Sequence, residues 1–189
     1  MGIIDGIDYG PLAGLVGTWE GDKGLDVAPE PEGSEENPYS ESLAFTAIGD
    51  VTNAGSQTLA VLRYQQVVRR KSNGEVFHDQ TGYWMWDARE GVVMQSIVIP
   101  RAVCVLAGGR PLDTGGPGAS VQLSVAAAVD YPDWGIVQSP FMRDQARTIR
   151  FQHDLTIDGE TLSYSETTFL EIYSRSFDHT DANELTRRS

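Results

Sequence analysis

One cysteine, Cys104, stands in 189 residues. An intrachain disulfide is therefore excluded, and a Cys-based metal site has no basis. Histidine is nearly as scarce, with only His78, His153 and His179. No two of them have the i, i+4 or short-loop spacing of a zinc site. Positive charge is also short: 14 Lys and Arg against 27 Asp and Glu give a net charge of −13. A surface that acidic repels phosphate backbones and anionic headgroups, so neither a nucleic-acid partner nor a membrane partner is expected. No apolar run approaches the roughly 20 residues that span a bilayer. The start, Met1-Gly2-Ile3-Ile4-Asp5-Gly6, lacks the basic and apolar regions of a signal peptide. Gly6 also stands where myristoylation would want Ser or Thr. These absences lead us to expect a soluble, cytoplasmic protein. G-x-S-x-G, P-loop and dinucleotide-binding patterns are missing too.

What the chain does contain is period-two alternation. Residues 58–70 are β-branched and aromatic without a breaker, and 77–87 read as the next strand. Ser72-Asn73-Gly74 supplies the turn between them. Strands follow at 92–99 and 102–107 around a bend at Pro100, and at 121–127. Residues 108–118 read as a Gly/Pro loop, and 130–144 as an irregular insertion near a cavity mouth. In 147–157, Ile149, Phe151, Leu155 and Ile157 share a face. Asp158-Gly159 turns the chain into 161–173, where Leu162, Tyr164, Leu170 and Ile172 are in phase. A second strand is placed at 39–48, after an acidic loop at 27–37, and a short last strand at 183–188. The only helical feature expected is a turn near 9–16. About ten hairpin-linked strands predict an all-β fold: an antiparallel up-and-down barrel, lipocalin- or fatty-acid-binding-protein-like, forming a single domain over 1–189.

Gly17, Trp19 and Gly21 form a motif of structural type near the N-terminus. Trp is large enough to plug one end of a small barrel, and the glycines let its strand bend. Arg187 or Arg188 is expected to lie over the indole. Among the histidines, spacing alone reads His179 as an exposed loop residue and His153 as a core histidine on the apolar face. His78, in phase with Trp84 and Trp86, either lines a pocket or packs at a barrel end.

Several segments together resemble one family. Gly17-Thr18-Trp19-Glu20-Gly21 is similar to the opening G-x-W-x-G-x-G motif of nitrobindin-like haem-binding β-barrels. Residues 76–84, with His78 before Gly82-Tyr83, resemble that family's fourth strand. Ile97-Val98-Ile99-Pro100 with 102–108, and the hairpin 157–164, resemble later parts in the same order. His179, followed by Leu185 and Arg187, falls where the family places its haem-ligating histidine. The chain departs at Lys23, where a glycine is expected, and in the longer 108–144 segment. It departs also in the family's basic residue near the haem, for which Arg147 is the candidate.

The resemblance implies haem b as cofactor, with His179 as the axial ligand of the iron and His78 and Arg147 beside it. It implies a small-molecule ligand in the barrel cavity, nitric oxide binding and isomerisation of peroxynitrite to nitrate; the oligomeric state, a homodimer included, is open. Two other readings stand beside it. One is a metal-free carrier of a fatty acid or other apolar ligand, whose carboxylate would meet Arg63, Arg150 or Tyr164. The other is a barrel filled by its own side chains, whose loops bind a partner.

Overall fold

A computed structural model describes residues 2–114 and 119–188. The N-terminal segment is a small hairpin of β1 (Ile3–Ile4) and β2 (Ile7–Asp8), followed by a 3-10 helix over Gly10–Leu15. The helical turn anticipated at 9–16 is this element. Its Leu12 and Leu15 are fully buried, so it stoppers one end of the structure beneath it.

Ten antiparallel strands make that structure. They are β3 (Gly17–Glu30), β4 (Gly33–Ala54), β5 (Gln57–Arg70), β6 (Val76–Asp87), β7 (Val92–Ile99), β8 (Val103–Gly109), β9 (Val121–Ala128), β11 (Ala146–Asp158), β12 (Thr161–Ile172) and β13 (Arg175–Arg188). Each pairs with its neighbour, β13 returns to β3, and Gly108 opposite Ala126 joins β8 to β9, so the sheet closes. Between β9 and β11 lie the four-residue β10 (Gly135–Gln138) and α1 (Pro140–Gln145). β10 pairs with Val103–Leu106 of β8 where β8 and β9 diverge. The closed antiparallel barrel agrees with the alternation of the sequence.

Five local expectations are corrected. Residues 27–37 are not a loop: β3 and β4 stay paired out to Glu30 and Gly33, leaving a tight turn. The last strand begins at Arg175, not at 183. Its hairpin turns on Tyr173 and Ser174, both in left-handed backbone at φ 52° and 60°. Such turns normally advertise themselves with Asn-Gly, and this one does not. The 130–144 segment contains ordered elements, with Ser139 capping α1 through a bond from the Met142 amide at 3.3 Å. The anticipated 108–118 loop gives its first two residues to β8, and its residues 115–118 lie outside the described ones. In β11 a bulge between Thr148 and Arg150 shifts the phase, so Thr148 is buried and Ile149 only half-buried.

At the stoppered end Trp19 is completely buried and donates from Nε1 to the Leu15 carbonyl at 2.7 Å. Arg187, its register partner, lies with its guanidinium 4.1 Å from the ring centroid. Arg187 also donates to the carbonyls of Gly14, at 2.7 Å, and Val16. Arg188 points elsewhere, to Glu20. Gly17 has φ +128°, and a Cβ there would press on Arg187 at 3.0 Å. The third glycine of the motif arrives one residue late. A register shift between Gly21 and Gly24 absorbs Lys23, and the Tyr39 ring covers Gly24 so closely that a Cβ would sit 2.1 Å from it.

Candidate functional site

Every second residue of a barrel strand faces inward. On β13 that series runs Arg187, Leu185, Asn183, Asp181, His179; on β12 it runs Leu162, Tyr164, Glu166, Thr168, Leu170. Both begin apolar or stacked at the Trp19 end and turn polar further along. The strand from His179 to Arg187 is about 27 Å long at roughly 3.4 Å per residue. His179 is therefore far from the stopper, on strand and not in a loop as its flanking residues suggested.

At the polar end the barrel holds a cavity of about 470 Å³. One wall, from β7 and β8, is apolar, with Ile97, Ile99, Val103 and Val105. The opposite wall carries His179, Asp26, Asp181, Glu166 and Tyr39. Register brings the polar wall together: His153 faces Glu166, Glu166 faces Asp181, and Asp181 faces Asp26. His179 Nε2 bonds to Asp26 Oδ1 at 2.5 Å and lies 3.7 Å from Asp181 Oδ2. Burial opposes charge on His179, but the hydrogen bond it donates to Asp26 and the charges of Asp181 and Asp26 outweigh it, so its pKa is raised. Burial pushes Asp181 up to about 7, with His179 pulling against it.

A hydrogen-bonded floor separates cavity and stopper. The Tyr39 and Tyr164 hydroxyls are 2.7 Å apart. Glu41 accepts from Gln66 at 2.6 Å, Asn183 at 2.7 Å and Tyr164 at 2.8 Å. These bonds favour its carboxylate against the burial that raises its pKa. His153 Nδ1 is 3.0 Å from Gln95 Oε1, so this nitrogen carries the proton and donates. Its Nε2 has no hydrogen-bond partner among the described residues.

The core reading of His153 thus has a pH consequence. Burial lowers its pKa to about 4, against about 6.5 for a free imidazole. The unfolded chain takes up this proton first, so stability falls as pH drops from about 6.5 to about 4. The full loss is about 3 kcal/mol at 1.36 kcal/mol per unit. The neighbouring Glu166, raised by burial, titrates with the opposite sign. We therefore expect His153→Gln to flatten the acid limb of stability against pH relative to wild type, measured by urea unfolding. Parallel limbs would contradict the assignment.

Of the residues singled out in the sequence, His179 and His78 reach the same cavity. His78 is half-buried, bonds through Nε2 to Gln80 at 3.2 Å, and has its pKa lowered, chiefly by burial. Arg147 is not brought there: it lies on the outer surface, 3.5 Å from Glu171. The basic side chains that line the cavity are Arg70 and Arg101. Arg70 stacks on Phe77 at 4.7 Å and donates to Asn37. Arg63 and Arg150 are also exposed outward, which leaves Tyr164 alone of the three groups proposed for a fatty-acid head. The interior is not filled by side chains, as the third reading required. Asp26, Asp181, Glu166 and Arg70 were not anticipated. Asp26 and Asp181 fell in stretches read as strand end and loop, so their shared face was invisible. Among the described residues no helix is long and apolar enough to cross a membrane.

Comparison with known proteins agrees with this architecture. The crystal structure of Rv2717c from M. tuberculosis superposes with a TM-score of 0.70 at 24% identity, covering 94% of this chain and 95% of that one. At that identity the likeness is one of fold. No curated protein matches the sequence. A family model for the THAP4-like, heme-binding beta-barrel domain matches residues 8–187, which span the Trp19 stopper, the cavity and His179. The chain belongs to the THAP4-like haem-binding β-barrel family.

Proposed function

We propose that the barrel binds ferric haem b in the cavity, with His179 as its axial ligand. The observation that carries this is an imidazole placed inside a cavity whose facing wall is apolar. A volume of about 470 Å³ falls within the roughly 300–1,000 Å³ usual for such ligands. The groups present fit. Ile97, Val103, Val105 and Phe151 offer the macrocycle an apolar surface, and Arg70 and Arg101 offer its carboxylates positive charge. His78 stands on the wall without binding iron. To take iron, His179 Nε2 has to give up its hydrogen bond to Asp26.

Bound haem would supply a ferric centre able to take nitric oxide or peroxynitrite, and isomerisation of peroxynitrite to nitrate is the activity we assign to it. The chain's own part is to hold the imidazole on rigid strand and to close the inner end of the cavity with the floor of Tyr39, Tyr164 and Glu41. The metal-free carrier reading is disfavoured. A fatty-acid carboxylate beside Tyr164 would meet Glu41, whose carboxylate that hydroxyl already serves.

The test is a pair of haem titrations. His179→Leu should weaken haem binding by more than the 10–100-fold typical of losing a group that only supports a ligand. It should also change the Soret spectrum. His78→Leu should alter the spectrum slightly and the affinity little. Equal affinity and spectrum for wild type and His179→Leu would return the carrier reading to first place.

A further inference from the structure

We propose that in the haem-free barrel Asp26, His179 and Asp181 bind a divalent first-row cation. Their ligand atoms all lie within 4.8 Å of one another. Asp26 and Asp181 are register partners on β3 and β13, and His179 is one inward position along β13. The three donors therefore converge from two adjacent rigid strands.

A second observation points the same way. Glu166, the register partner of Asp181 on β12, accepts no hydrogen bond among the described residues. Only 16% of its side-chain surface is accessible, and that surface gives on to the cavity. Its ion-pair contact among the described residues is His153 Nδ1 at 3.8 Å, whose proton is committed to Gln95. The contrast with Glu41 is informative, since that carboxylate receives three hydrogen bonds. The fold thus satisfies one buried carboxylate fully and leaves another bare, facing the cavity beside Asp26 and Asp181. Among the described residues no Lys or Arg bonds to any of these three; the groups that face them are two imidazoles, His179 beside Asp26 and Asp181 and His153 beside Glu166. Burial disfavours the charged forms of these carboxylates, and a divalent cation would offset that cost.

The donor set selects the class of ion. One imidazole with carboxylate oxygens suits Zn²⁺, Mn²⁺ or Fe²⁺ better than the all-oxygen ions Mg²⁺ and Ca²⁺. Three protein ligands leave positions open to water or to an added ligand. The inference goes beyond haem binding and does not rest on it. Because both use His179 Nε2, cation and haem iron exclude one another at that atom.

The experiment uses the full chain, freed of haem and treated with chelator. Co²⁺ serves as the optical probe and Zn²⁺ as the calorimetric one. We expect one Co²⁺ per chain with a visible d–d band that Zn²⁺ abolishes. Asp26→Asn and Asp181→Asn should each weaken Zn²⁺ binding tenfold or more. Asp154→Asn, on the outer face, should leave Zn²⁺ binding unchanged. If the variants fold poorly, wild type alone decides: its Tm should rise with Zn²⁺ and not with equal Mg²⁺. Absence of that rise, absence of stoichiometric Co²⁺ binding, or unchanged Zn²⁺ affinity in folded Asp26→Asn and Asp181→Asn would overturn the site. Haem titrations on the same samples separate the two readings. Zn²⁺ binding without haem binding sinks only the haem proposal, and the reverse sinks only this one.

Discussion

Trp19→Ala should lower the free energy of unfolding by about 3–5 kcal/mol, the usual cost of truncating a large buried aromatic. The indole is fully buried among the side chains of the stopper. Its Nε1 bond ties β3 to the 3-10 helix through Leu15. Its face carries Arg187, a contact worth about 0.5–2 kcal/mol. Arg187 in turn holds the carbonyls of Gly14 and Val16 and pairs with Glu160 at 3.1 Å. Loss of the ring therefore releases a guanidinium that fastens three segments at once. Against a typical total of 5–15 kcal/mol, this is a large share. Trp19→Phe keeps a ring under Arg187 and should cost clearly less. Urea unfolding monitored by far-UV circular dichroism measures both. A midpoint unchanged in Trp19→Ala would show that the stopper does not hold the barrel shut.

Much of the barrel was legible because alternation and turn residues report local structure directly. β7 runs from Val92 to Ile99, the limits the sequence suggests. The turns at Asn73-Gly74 and Asp158-Gly159 use glycines at φ 73° and 58°. The beginning of β13 was hidden for the opposite reason. Tyr173 and Ser174 adopt left-handed backbone without the residues that signal it, so eight residues of strand read as loop. That error displaced His179 from wall to loop, and only the family resemblance held it as a candidate.

The partners of His179 were illegible on different grounds. Asp26 and Asp181 are 155 positions apart, and their contact exists only because β13 closes against β3. A bulge at Gly21–Gly24 sets which residues of β3 face inward beyond it, and sequence alternation counted from Trp19 misses that shift. Arg147 failed to reach the cavity because it lies on the outward face of β11, where Glu171 meets it. Arg70 ends β5 and Arg101 lies in the turn between β7 and β8, where nothing in the sequence distinguishes a cavity rim from ordinary solvent.

Whether His179 binds the haem iron is tested most directly by removing the imidazole and returning it as a free molecule. His179→Gly leaves the backbone of β13 and vacates the space of the ring beside Asp26 and Asp181. Without a protein nitrogen on the iron, the ferric complex should lose the wild-type Soret position and bind haem far more weakly. Added imidazole should enter the vacated space and restore both the spectrum and most of the affinity, whereas wild type and His78→Gly should show no such restoration. An absorption titration of haem into the three proteins, with and without imidazole, reads this in one series. A His179→Gly complex with the wild-type spectrum and affinity before any imidazole is added would contradict the assignment, because the iron would then owe nothing to His179.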